Sequence, residues 1–555
     1  MTVATVNSTT GAITVKNAGT TIITVSQAAA GNYISGYVQA SLVVNPIAQT
    51  FTFGGEVITT GQFTITSPTP GATTFRPTYP TSNSTGAYSY ASSNTNIATV
   101  NSTTGAITIK TVGTVNIIVT QAATNNYISR SVTGSLQVMY KWVMQGQDIN
   151  GEISNDQSGT SVSLSADGTF VAVGAPYNNG NGSDSGHVRV YKLISNTWTK
   201  QGGDIDGEDD NDKSGSSVSL SRDGSIVAIG SPKNNNSNGT DAGNVRVFKY
   251  NANKTTANSL GPVGWDQLGG DINGENSTNE SGTSVSISDD GTIVAIGSPK
   301  NNNSNGTDSG QVRVYKYNAN KTTANSLGPA GWDKQGGDID GENSDDESGT
   351  SVSISGDGLI VAIGAPNNNG NGNGTKSGQV CVYKLISNKW TQIGGDINGE
   401  AANDQSGTSV SLSKDGSMVA VGAPNNNGNG SDSGHVRVFK LISNKWTQQG
   451  GDINGENSDD ESGSCVSLSG DGLIVAIGGP KNNGIGTDAG HVRVYKLISN
   501  KWIKQDGDID GEAPTDESGR SVSISRDGLI VAIGAPNNNS NESGHVRVYK
   551  YMLSA

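Results

Sequence analysis

Seven copies of one acidic pattern, D-I-[ND]-G-E-x-x-x-[DN]-x-S-G, hold the side chains of this chain best suited to chemistry. The first copy places Asp148, Asn150, Glu152 and Asp156, and the second Asp204, Asp206, Glu208 and Asp212. The fourth runs Asp338, Asp340, Glu342, Asp346 and the seventh Asp508, Asp510, Glu512, Asp516. The third, fifth and sixth begin at Asp271, Asp396 and Asp452 and carry amides at one or two of the four places. Oxygen ligands at alternate positions, followed by Gly, suit a hard cation, and Ca²⁺ is the cofactor expected if the loops bind metal. A second reading uses the same residues differently: Asp and Asn lock turns by accepting hydrogen bonds from nearby backbone amides. A third is direct contact between these loops and a ligand.

Other chemistry is sparse. His187, His435, His491 and His545 all open the same kind of strand, with Asn244, Gln311 and Gln379 in that place elsewhere. Sevenfold spacing keeps the histidines apart, so a structural role is expected for them. Arg189 and its counterparts alternate with Val, which places them on a strand face beside an acid. Cys381 stands where other copies have Arg and Cys465 where they have Ser. Both are expected to be unpaired packing residues, since a free Cys behaves as a small hydrophobe. No Ser-His-Asp set, Cys-His pair, P-loop or zinc spacing is present, and the one-off residues Cys381, Cys465, Lys376 and Ile485 form no constellation. The chain is therefore read as non-enzymatic.

The elements that position these loops follow from the tryptophans. Trp142, Trp198, Trp265, Trp332, Trp390, Trp446 and Trp502 recur at intervals of 56, 67, 67, 58, 56 and 56 residues, the period of a propeller or solenoid. Each copy contains four strand-like segments, in the first Trp142–Ile149, Ser161–Ser165, Thr169–Ala175 and His187–Leu193. An Asp-Gly pair between the second and third is a hairpin signal. Four antiparallel strands in seven copies predict a seven-bladed β-propeller. The array opens on a Trp strand and ends on the strand that precedes Trp elsewhere, so residues 142–149 are expected to pair with the C-terminal blade and close the ring. The acidic loops and a second set, almost pure Asn and Gly after Gly-Ala-Pro, fall on the same rim. The Asn-Gly loops are read as solvated connections, with sugar binding as the alternative.

The runs S-V-S-L-S-x-D-G-x-x-V-A-V-G-A-P and G-H-V-R-V-Y-K resemble FG-GAP repeats, the family that builds the head of integrin α chains and many bacterial and viral surface proteins. The resemblance covers residues 142–550. It implies a propeller and a surface or adhesion role. The long D-x-D-x-D-G calcium loop of integrins is reduced here to a two-residue Asp-Gly turn, so that site is not carried over.

Residues 1–140 are organised differently. V-A-T-V-N-S-T-T-G-A-I-T at Val3 returns from Ile97 with Ile in place of the opening Val, a period of 94 residues. β-Branched alternating stretches predict an immunoglobulin-like β-sandwich over residues 46–140, with residues 1–45 as the C-terminal half of another. The run A-T-V-N-S-T-T-G-A-I-T and the following G-T-x-x-I-x-V-x-Q-A resemble bacterial immunoglobulin-like (Big) domains, which implies a spacer role. Met1 aligns inside such a unit, which reads as a piece of a longer array or a product beginning within one.

Composition limits the functions that remain. The chain has 555 residues, 77 of them Gly, with only 15% charged and 5% aromatic, the mixture of an all-β, turn-rich protein. Of 35 basic and 49 acidic residues, four and one lie in residues 1–140, leaving 31 and 48 beyond, a net charge of −17. Phosphate binding needs a basic footprint, so nucleic acid is not an expected partner. No run approaches the roughly 18 apolar residues of a membrane span, and no secretory signal is visible at Met1. The expected function is that of an extracellular or particle-surface adhesion protein whose propeller (141–555) binds glycan or protein. A structural protein of a particle or cell surface, and a propeller enzyme acting on glycans, are the alternatives.

Overall fold

A computed structural model describes residues 1–69, 71–538 and 542–555. It divides the chain into two compact units, one of Met1–Val143 with Met552–Ala555 and one of Met144–Tyr551. Among the described residues there is no α-helix; one 3-10 turn, Gly370–Gly372, interrupts an otherwise all-β chain.

In the first unit, Gly113–Gln121 pairs antiparallel with both Tyr88–Ser92 and Arg130–Met144. Strict alternation puts Val115, Ile117 and Val119 into a core with Phe51, Ile107 and Leu136. The hairpin Gly19–Gln27 with Gly36–Val44 has the same register but a different environment. Val119 and Val132, cross-strand partners, are 0% and 1% exposed, whereas their counterparts Val25 and Val38 are 64% and 70% exposed. The difference lies in packing, since the residues and their pairing are the same.

The second unit repeats one antiparallel design, six times as a separate five-stranded sheet and once more where Ser521–Ile524, Ile530–Ala535 and His545–Ser554 pair in the same order. In the first, the innermost strand is Ser161–Leu164, followed by Phe170–Ala175 and His187–Ile194. The outer strand comes in two pieces: Thr197–Lys200 pairs with the end of the third strand, and Ile205–Asp206 with its start. Gly202 lies in the bulge between the pieces with φ 74°, and a Cβ there would sit 2.8 Å from the Trp265 indole nitrogen. Glycine meets both the left-handed conformation and the close approach.

Neighbouring sheets are stitched together at two radii. Near the axis, the backbone N–H of Leu220 donates to Ser163 Oγ of the preceding sheet at 2.9 Å. The same bond recurs around the unit until Leu164 N–H donates to Ser523 Oγ at 2.9 Å, joining the last sheet to the first. Farther out, the indole N–H groups of Trp198, Trp265, Trp332, Trp390, Trp446 and Trp502 each reach back to a carbonyl beside the previous sheet's outer strand, as from Trp198 to Gln145 at 2.8 Å and Trp265 to Gln201 at 2.9 Å. In the seventh sheet the outer position is taken from the other end of the chain. Gln145 N–H donates to Val548 O at 2.7 Å, and Ile149 and Asn150 pair with Val546 and His545. The sheets thus form a closed propeller, with apolar clusters such as Ile149, Val171, Val173, Trp198, Val546 and Val548 between adjacent sheets.

Candidate functional site

Each acidic loop joins the outer strand of one sheet to the innermost strand of the next, and its four marked residues take separate tasks. The fourth turns inward. Asp212 Oδ2 accepts from the backbone N–H groups of Glu208 at 3.1 Å and Asp209 at 3.0 Å, and from Asn234 Nδ2 at 3.0 Å. Asp156, Asp346, Asp404, Asp460 and Asp516 accept backbone amides in the same way. The second position contributes its backbone: Asn150 O accepts from Arg189 Nη2 at 3.0 Å, and Asp206 O from Arg246 Nη2 at 2.6 Å.

The first and third positions meet acids of the neighbouring loops. Glu152 lies with Asp204 and His187, Glu400 with Asp452 and His435, Glu456 with Asp508 and His491, and Glu512 with Asp148 and His545. In each group one ligand-type atom from every residue lies within 4.8 Å of the others. A fifth group, Glu342, Cys381 and Asp396, contains the one-off cysteine. All five draw their acids from two successive loops, and the third strand between them supplies the remaining side chain. Asp338 is engaged by Lys334 at 2.5 Å, and Asp340 accepts from Gln311 Nε2 at 3.2 Å.

The third strand sets the electrostatics. Each of the four histidines is 1% exposed. Burial, then the adjacent arginine, pushes His187, His435, His491 and His545 down to about 4, so that all four are neutral at pH 7. The arginine two residues on holds one oxygen of the glutamate: Arg189 Nη1 to Glu152 Oε1 is 3.2 Å, Arg437 to Glu400 3.3 Å, and Arg547 to Glu512 3.2 Å. Its guanidinium also lies over a ring on its own strand, 5.8 Å from the Tyr191 centroid in the first sheet. Cys381 replaces this arginine in the fourth sheet. Burial, and then the neighbouring Asp396 and Glu342, raise its thiol far above the ordinary range, so it stays protonated. Both cysteines are free.

The Asn-Gly loops lie against the acidic loops and brace them. Asn181 Nδ2 donates to Gly207 O at 2.9 Å and Glu208 O at 3.0 Å, and Asn305, Asn373 and Asn429 make the matching bond to Gly341, Gly399 and Gly455. Ile485 occupies this place in the sixth sheet, which explains what that one-off residue lacks.

Two features were missed from sequence. One is the meeting of histidine with acids of two loops 50 or more residues apart, which no single motif displays. The other is Arg520, which lines an axial cavity of about 680 Å³ together with Thr160, Ser216, Thr283, Thr350, Thr408 and Ser464. Arg520 is the one exception to a hydroxyl residue in the S-G-[TS]-S-V register, and that signal was readable.

A family model described as FG-GAP repeat matches residues 152–191, 339–383 and 398–439. The model of the intimin immunoglobulin-like domain matches residues 80–123. FG-GAP repeats, an immunoglobulin-like segment and an all-β repeat architecture are thus present in one chain. No curated protein matches it significantly in sequence. Among solved structures it is similar to hydrazine synthase of Kuenenia stuttgartiensis, at 13% identity and a TM-score of 0.45 over 74% of this chain and 99% of that one. It is also similar to a putative 6-phosphogluconolactonase of Bacteroides uniformis, at 11% identity and TM-score 0.41, over 73% and 96% of the two chains. The periplasmic gluconolactonase of Pseudomonas aeruginosa matches at 15% identity and TM-score 0.40, over 68% and 98%. With all three scores below 0.5, no chemistry is carried over from these proteins.

Proposed function

We propose that this chain is a non-enzymatic surface or adhesion protein, in which immunoglobulin-like β-sandwich spacers (1–45 partial, 46–140 whole) present a seven-bladed β-propeller (141–555) that binds glycan or protein. The observation that carries the reading is the joint occurrence of FG-GAP repeats and an intimin-type immunoglobulin-like segment, a pairing that fits an extracellular or particle-surface location. The binding face is the rim of acidic and Asn-Gly loops, where exposed Asp, Asn and Ser side chains repeat around the axis. Amides donate and accept at once, which suits sugar hydroxyls and peptide backbones alike.

A glycan array and a pull-down from a host extract with the intact chain test this reading. Binding to a defined glycan class or a single protein supports it, and no binding in either format favours a purely structural surface protein. The axial cavity, with Arg520 and Glu461 as its asymmetric charges, is where an enzyme acting on glycans would have its site. Hydrolysis in a broad glycan screen, lost in Arg520→Thr, would replace the adhesion reading with that one.

A further inference from the structure

The four imidazole–carboxylate groups differ at one position, four residues before the aspartate of the Asp-Ile pair. In the His187 group Lys200 Nζ lies 2.8 Å from Asp204, and in the His491 group Lys504 Nζ lies 2.8 Å from Asp508 and 3.6 Å from Glu456. An ammonium already engages the aspartate in both groups, and in the His491 group the glutamate as well. In the other two groups the equivalent residues are Gln448 and Met144. Gln448 donates to Asp452 Oδ1 at 2.7 Å but carries no charge, and Met144 offers neither donor nor charge.

The geometry points to a divalent-cation site of the zinc class at each of the two lysine-free groups, Glu400–His435–Asp452 and Glu512–His545–Asp148. Two observations bear on both groups, and a third on the His545 group. First, both histidines are 1% exposed, and among the described residues neither ring nitrogen accepts or donates a hydrogen bond; for His545 Nε2 the atom is itself fully buried. Second, Nδ1 of each ring faces glutamate Oε2 at 3.9 Å, while the arginine holds the opposite oxygen, Oε1, at 3.2 to 3.3 Å. That is the arrangement by which an outer group orients a metal-binding carboxylate. Third, Asp148 Oδ1 is buried with no partner, a costly state for a carboxylate oxygen.

The donor set decides the ion. One imidazole and two carboxylates give three ligands of the kind that bind Zn²⁺ at about 2.0–2.2 Å with a position left for water. Ca²⁺ takes six to eight oxygens and does not favour imidazole nitrogen. The sites are separate from the loop-by-loop Ca²⁺ reading, because each joins two loops through a buried histidine. They are also independent of what the rim binds.

The test is metal titration of the intact chain, stripped with chelator, using Zn²⁺ by calorimetry and Co²⁺ by its visible absorption. Two equivalents of Co²⁺ are expected. His435→Gln and His545→Gln should each remove one equivalent, and the double variant both. Gln occupies the same strand position at Gln311 and Gln379, so these variants keep a residue the fold accepts. His187→Gln with His491→Gln should leave both equivalents in place. Lys200→Gln, which releases Asp204, should raise the count to three, and Met144→Lys should lower it to one; neither depends on losing a histidine. No Co²⁺ binding, binding that persists in the His435→Gln/His545→Gln chain, or equal displacement by Ca²⁺ at matched concentration overturns the proposal.

Discussion

Each buried histidine sits among fixed charges: for His187 these are Arg189, Asp204, Asp156 and Lys200, and for His545 Arg547, Asp148 and Asp516. Their pH dependence follows from folded values of about 4 against 6.5 for an exposed imidazole. Below pH 6.5 the unfolded chain takes up protons that the folded chain refuses, so stability falls as pH drops from about 6.5 to about 4 and levels off beneath that. The loss is of order 3 kcal/mol for each histidine at most. Metal-free His187→Gln/His491→Gln should therefore show a shallower decline of melting temperature between pH 7 and 4.5 than the parent; parallel curves would mean the imidazoles are not held neutral. A separate loss is expected below pH 3.8. Burial works against ionisation of Asp167, but the Thr169 amide and the Ser165 and Thr169 hydroxyls outweigh it and lower its value, as their counterparts do for Asp223, Asp290 and Asp415. The histidines were legible in the sequence as a set kept apart by the repeat. Their neighbours were not, because acids about 50 residues apart become adjacent only when successive sheets are packed.

At the scale of the element, the short strand at Ile149 and the first hairpin make opposite demands on similar residues. Ile149 is 3% exposed and packs with Val546 and Val548, which belong to the other end of the chain. Ile149→Ala should cost about 2–4 kcal/mol by removing buried atoms and leaving a cavity. Val25→Ala, at a site 64% exposed, should change stability by less than about 0.5 kcal/mol. Denaturant melts of the two variants check this, and equal midpoints would contradict the closing role of residues 145–150. That role was legible, since the array begins with the strand that its last copy lacks. The two-piece outer strand was not. A continuous stretch from Trp to Ile was read where Gly146, Gly202 and their counterparts open a bulge, because the need for it comes from the next sheet's indole and not from local propensity.

For the whole molecule, near-identity of seven sheets makes the rim a repeated surface. The Asn-Gly loops were read as solvated connections, yet Asn181, Asn305, Asn373 and Asn429 are spent on bracing the adjoining acidic loops. Side chains left free to meet a partner are those at the loop crests, such as the exposed Asp209, Asn276 and Asn457. The opposite rim carries exposed Lys389, Lys445 and Lys501 in its outer hairpins. Binding through the acidic rim is tested most directly by measuring the affinity of the best array or pull-down partner for two variants of the intact chain. Asp209→Lys/Asn276→Lys/Asn457→Lys should weaken binding at least tenfold, while Lys389→Glu/Lys445→Glu/Lys501→Glu leaves it unchanged. Loss confined to the second variant, or equal affinity for both, would contradict the assignment of the binding face.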